Sequence, residues 1–181
     1  MRFPPIPPTE WTAEQRAVAE QIIEGPRGQL RGPFIPLMHS PGLAARVQQL
    51  GAYLRFDTAI PRDLIEIAIL LTARHYDCGY IWQSHRPQAL AAGVAQDIVT
   101  AIAARRSPVD LAPPQAVLVG LCGELLERNQ VAATTFELAV QQWGAKGAMD
   151  LAGLVGYYGL LAMVLNVSAT PQTGGGDPFG G

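Results

Sequence analysis

Three groups that can move protons or electrons lie close together in the segment PRDLIEIAILLTARHYDCGYIWQSH, residues 61–85: the carboxylate of Glu66, the thiol of Cys78 and the imidazole of His85. Glu66 is the one ionisable side chain between Leu64 and Ala73, a run that is otherwise apolar but for Thr72. Glutamate is almost never fully buried without a partner, so its neighbours decide its use. An imidazole, with an ordinary pKa of about 6.5, can hold or release a proton near neutrality. A carboxylate beside it orients the ring and favours its charged form, whereas burial disfavours charge on both. A thiol beside an imidazolium shifts toward thiolate. The trio points to general acid–base chemistry, worth about 10²–10⁴-fold, or to thiol redox chemistry.

Each group also has a plainer reading. Glu66 can bridge to Arg62 or Arg74 as a structural ion pair. A lone cysteine is usually a small hydrophobe, and a helical histidine is usually a satisfied surface or core residue. His75 and Asp77 read as a solvated helix end. His39, in a long loop, either lines the mouth of a pocket or is simply exposed. No His/Cys spacing matches a metal-ligand set. There is no Gly-rich phosphate loop, no nucleophile elbow and no Cys-x-x-Cys, so no cofactor fingerprint is present.

These groups need helices to bring them together. A proline at residue 61 opens a helix, apolar nearly all round, to about residue 76; such a helix is buried on all sides. The next begins near Cys78, contains Pro87 and ends before Gly93. Proline inside a helix removes a backbone hydrogen bond and predicts a kink. At about 100° per residue, positions seven apart share a face, which puts Cys78, Ile81, Trp82 and His85 on one stripe. A short connection near Asp77 favours antiparallel packing and carries Glu66 toward that stripe. Trp82 and Tyr80 are then candidate pocket walls.

The rest of the chain also reads as helical. TAEQ at residues 12–15 is a capping box opening a helix to about residue 24. A Gly/Pro loop over 25–40 is of the length that lines sites. Ser40-Pro41 starts a helix to about residue 56. Further helices are predicted over 96–104, 113–128, 134–143 and 146–167. No segment alternates with period two, so the expectation is an all-α domain over 1–167, followed by a Gly/Pro-rich tail over 168–181 that is mobile unless it docks on a neighbour.

Composition narrows the partners. Of 181 residues, 49% are apolar and only 15% charged, with a net charge of −2 and no basic block. That excludes an evident nucleic-acid surface and fits a chain that hides surface in an oligomer. The proline-rich start has no apolar signal core. Two cysteines are too few for a disulfide framework, so the expected compartment is the cytoplasm. The uncharged run over 151–167 is short of the roughly 20 residues of a membrane span and reads as a core or interface helix.

Glu66, Cys78 and His85, with Trp82-x-x-His85 and the segment GPFIPLMHSPGLAARVQQLGAYLRF upstream, resemble the carboxymuconolactone decarboxylase and alkylhydroperoxidase D group. Glu66 falls on that family's glutamate, Cys78 on the first cysteine of its peroxidase branch and His85 on its histidine. Ile81 stands where the second cysteine would be, so the two-thiol cycle of that branch is not available. The Trp82-x-x-His85 step is similar to the decarboxylase-type members, although Ile81 also replaces the acidic residue that many of them carry before the tryptophan. The resemblance implies an all-helical subunit forming a trimer or a dimer of trimers, with sites near subunit contacts. It also implies a cofactor-free lyase acting on a small carboxylated lactone or ring acid. In that role His85 and Glu66 are catalytic, Tyr80, Trp82 and His39 line the substrate site, and Arg46 or Arg62 holds the carboxylate. A one-cysteine thiol peroxidase using Cys78, with Cys122 to resolve it if brought close, is the rival reading. A non-enzymatic oligomeric binding module is the third.

Overall fold

A computed structural model describes residues 1–172, 174, 176, 178 and 179. Among these residues the chain is all-helical, with no strand. The helices are α1 (Ala13–Glu24), α2 (Phe34–Leu37), α3 (Pro41–Ala52), α4 (Arg62–His75), α5 (Gly79–Ala91), α6 (Gln96–Ala103), α7 (Pro113–Arg128) and α8 (Ala133–Ser168).

Helix α4 is the axis of the fold. Pro61 enters it in an extended conformation, Asp63 stands in its first turn, and Arg74 and His75 stand in its last, an order that suits the helix dipole. It stops where Asp77 takes a left-handed φ of 49°. Residues 64–70 are all buried, because α5, α6, α7 and α8 pack around it. Each Leu or Ile fully buried there contributes about 1.5–3 kcal/mol. That surplus is what tolerates one carboxylate in the same run.

Two departures from the sequence reading shape the cavity described below. The loop over 25–40 contains a short helix, α2, which packs on α3 and α8. The helix expected to run to residue 56 ends at Ala52 and passes into a π-helical turn, Tyr53–Asp57. π-helical turns concentrate at functional sites, and this one carries Arg55 and Phe56 to a cavity wall. Helix α5 runs through Pro87 without interruption.

The tail was expected to be mobile or to reach a neighbour. Two of its described residues make contacts within the chain. The Gly174 amide donates to Gln83 Oε1 at 3.2 Å, and the Phe179 ring sits 5.5 Å from that of Trp82 and 4.3 Å from the Arg74 guanidinium carbon.

Helix α8 is long and apolar enough, by length and composition, to cross a membrane; 56% of its most apolar window is buried inside the fold. The break expected between residues 143 and 146 falls at Gly144, whose φ of 70° and ψ of 170° are not helical. That backbone region is essentially restricted to glycine, and another residue held there costs about 1–3 kcal/mol. Gly144→Ala is therefore expected to lower the thermal midpoint by several degrees while leaving the far-ultraviolet dichroism of the folded state unchanged.

Candidate functional site

Glu66 is fully buried at the middle of α4. It accepts a 2.7 Å hydrogen bond on Oε2 from Nδ1 of His85, one helix away on α5. Its other oxygen, Oε1, lies 2.5 Å from Nη2 of Arg62, one turn earlier on α4, in an ion pair that is not aligned as a hydrogen bond. The two readings of Glu66, imidazole partner and arginine bridge, thus hold at once. Arg74 takes no part: it pairs with Asp77 and donates to the Ala103 carbonyl.

The arrangement fixes the histidine tautomer. An ionised carboxylate only accepts hydrogen bonds, so Nδ1 carries the proton and Nε2 presents its lone pair. Nε2 lies 3.4 Å from the hydroxyl of Tyr158 on α8, and the two rings meet edge-on with centroids 5.3 Å apart. Burial holds the His85 pKa below its ordinary value. The hydrogen bond and charge of Glu66 oppose that shift, while the Arg55 and Arg62 charges add to it. Burial also pushes the Tyr158 phenol well up, keeping it a hydroxyl donor at every working pH.

His85 and Tyr158 line a cavity of about 300 Å³, at the lower end of the range for small-molecule sites. Four of the chain's 13 Lys and Arg residues line it, namely Arg27, Arg31, Arg55 and Arg62; none of the lining residues is Asp or Glu. A cleft lined by one sign of charge concentrates ligands of the opposite sign. Gln88 joins two of the cations, because its Oε1 accepts from Arg62 Nη2 at 3.0 Å and from Arg55 Nη2 at 3.5 Å. Tyr80 closes another side, packed so tightly on the loop that a Cβ at Gly32 would lie 2.9 Å from its ring.

The α5 residues that meet the cavity are Tyr80, Ile81, Ser84, His85 and Gln88, which differs from the expected stripe. Cys78 precedes the helix as its N-cap, with a φ of −89° and ψ of 85°. Helical rotation therefore does not carry it onto the His85 face. It is 1% exposed and does not line the cavity, and burial raises its thiol pKa against two opposing backbone hydrogen bonds. Burial pushes Cys122 up to about 12, and both cysteines are free thiols. Trp82, expected as a wall, faces away: it lines a separate cavity of about 180 Å³ with Arg86 and Phe179. His39 also lies elsewhere, its Nε2 2.9 Å from the Pro4 carbonyl oxygen and its ring edge-on to Phe3. Arg46 bonds its own helix at the Gly42 carbonyl. Among the described residues no group of three His, Cys, Asp or Glu could hold a metal ion.

Sequence reasoning missed Tyr158, Arg27, Arg31 and Arg55. Tyr158 stands in the uncharged run read only as core. The arginines had no periodic pattern, although the length of the loop that carries Arg27 and Arg31 did mark it as site-lining. No protein-family model, no curated protein and no solved structure matches this chain.

The lowered His85 pKa has a consequence for stability. Above about pH 6.5, where the unfolded imidazole is neutral too, the full contribution is present. As pH falls below that value the unfolded chain takes up the proton first, so stability is lost down to the folded-state pKa. Denaturant midpoints measured between about pH 7.5 and pH 5.5 should fall more for the wild type than for His85→Gln. Equal losses would contradict the neutral, buried imidazole.

Proposed function

We propose that this protein is a lyase of the carboxymuconolactone decarboxylase and alkylhydroperoxidase D type. It acts without a cofactor on a small carboxylated lactone or ring acid, by general acid–base chemistry centred on His85. One observation carries the reading: a Glu66-oriented imidazole opens on a small cavity whose charged lining residues are all arginines.

The steps follow from that geometry. The arginines draw the substrate carboxylate into the cavity. An anion beside His85 raises the proton affinity of the imidazole, which takes a proton from solvent onto Nε2 while Nδ1 still donates to Glu66. Loss of CO2 breaks the bond from carboxyl carbon to ring carbon and moves its electron pair toward the lactone carbonyl, giving a furan-like oxyanion. The Tyr158 hydroxyl and the guanidinium groups are the donors available to that oxyanion. Preorganised donors of this kind are often the largest single contribution to a rate. His85 then delivers its proton to the ring carbon and returns to the neutral state. The net change is substrate anion plus one proton to product plus CO2.

Assembly into a trimer or a dimer of trimers is part of the proposal. It is supported by the exposed apolar side chains Met149, Met163 and Val167, 71%, 56% and 58% accessible on one side of α8. The thiol peroxidase reading has less behind it, since Cys78 is sealed from the cavity and burial disfavours its thiolate. A purely structural Glu66–His85 pair would not need to face a cavity.

Carbon dioxide release from carboxylated five-membered lactones tests the proposal. His85→Ala is expected to cut turnover by at least about 10²-fold with the fold intact, and Cys78→Ser to leave it within about twofold. Turnover that survives in His85→Ala removes His85 from the mechanism, and loss in Cys78→Ser restores the thiol reading.

A further inference from the structure

Arg27 sits in the sequence GPRG, in the loop before α2. An arginine on such a segment would ordinarily be a diffuse counter-charge, its guanidinium spread over many rotamers. Here three separate elements hold it in place. Its Nη2 donates to the hydroxyl of Tyr157 on α8 at 2.9 Å, and its guanidinium carbon lies 4.7 Å over the ring of Phe34 on α2. Helix α3 contributes an absence of side chain. A Cβ at Gly51 would lie 2.0 Å from the Tyr157 hydroxyl oxygen and 2.3 Å from Arg27 Nη2. Tyr157 itself is 2% exposed, and its hydroxyl stays protonated because burial raises its pKa against the opposing pull of Arg27.

We infer that Tyr157 and Gly51 are positioning residues that fix Arg27 as the wall by which the cavity tells a carboxylate from an uncharged group of the same shape. The inference rests on the carboxylated-ligand reading above. Tyr157 occupies one terminal nitrogen of Arg27, and Arg27 and Phe34 both line the cavity. A planar guanidinium held on one arm and one face offers its remaining donors in a set direction. That direction suits the planar acceptor pair of a carboxylate. A carboxamide of the same size has one acceptor and no charge, so it recovers only part of the interaction. Fixed donors need no reorganisation when the ligand arrives, which is how positioning becomes selectivity. The neighbouring residue Tyr158 contacts His85, so two successive tyrosines of α8 serve the anion wall and the acid–base group respectively.

The probes are furoate and furamide, which share a ring and differ in charge; their dissociation constants are read by calorimetry at neutral pH. Wild type is expected to prefer furoate. Tyr157→Phe should reduce that preference by about three- to tenfold and leave furamide binding unchanged. In the double variant, Tyr157→Phe should add nothing to Arg27→Gln, because both remove the same interaction. Arg27→Lys, on a loop and with the charge retained, should also reduce the preference, since an ammonium is not a fork, and a wild-type preference in that variant would overturn the positioning role. Equal weakening of both probes by Tyr157→Phe, an unchanged preference, or additive effects with Arg27→Gln would overturn the positioning role alone. A wild type without preference for furoate would overturn the carboxylated-ligand reading and this inference with it.

Discussion

The geometry of the site depends on one buried carboxylate and the two groups that share it. Glu66 stands at 0% exposure in a helix packed on all sides. A charge in such a place persists only if its partners replace the water it has lost. Arg62 supplies the compensating charge at one oxygen and His85 the hydrogen bond at the other. Each partner is thereby committed. Arg62 pairs with Glu66 while also lining the cavity, and the His85 ring is held with Nδ1 on Glu66 and Nε2 toward the Tyr158 hydroxyl. A hydrophobic residue at position 66 would pack as well or better, but it would leave the imidazole without an orientation. The ion pair is best understood as specifying geometry at some cost in stability.

The cavity turns that geometry into a chemical preference. Its arginines come from unrelated parts of the chain: Arg27 and Arg31 from the loop before α2, Arg55 from the π-helical turn, and Arg62 from α4. Four like charges around a cavity of about 300 Å³ repel one another. An anionic ligand relieves that repulsion as it binds. Burial, with the Arg55 and Arg62 charges adding to it, disfavours the His85 proton, and an anion in the cavity opposes that effect. Ligand entry and protonation of the imidazole are thus linked through one electrostatic field.

Much of this was legible in the sequence where a local rule governs. The capping box at Thr12 and Gln15 forms as read, with both reciprocal hydrogen bonds present. The apolar run around Glu66 announced a buried helix, and the short turn at Asp77 announced the antiparallel neighbour that brings His85 to it. What failed did so where the backbone leaves ideal geometry or where contact is long-range. Cys78 was placed on the His85 face by helical rotation, but it is a cap residue and does not rotate with the helix. Trp82 does rotate with it, onto the side that the tail residue Phe179 covers. Tyr158 is 73 residues from His85, and nothing in an uncharged run distinguishes a tyrosine that meets a histidine from one that fills a core. The π-helical turn has no sequence signature that periodicity could detect.

The central claim is that Glu66 sets the tautomer of His85 and leaves Nε2 unprotonated on a ring that lines an arginine-lined cavity. Nitrogen-15 NMR of the imidazole rings tests it most directly, because the protonated and bare nitrogens of a neutral ring resonate far apart. The chain has three histidines, and His85→Gln identifies the signal that matters. The account predicts that in the ligand-free protein at neutral pH His85 is a neutral ring with its proton on Nδ1. A ring protonated on Nε2 alone, or on both nitrogens, would contradict it.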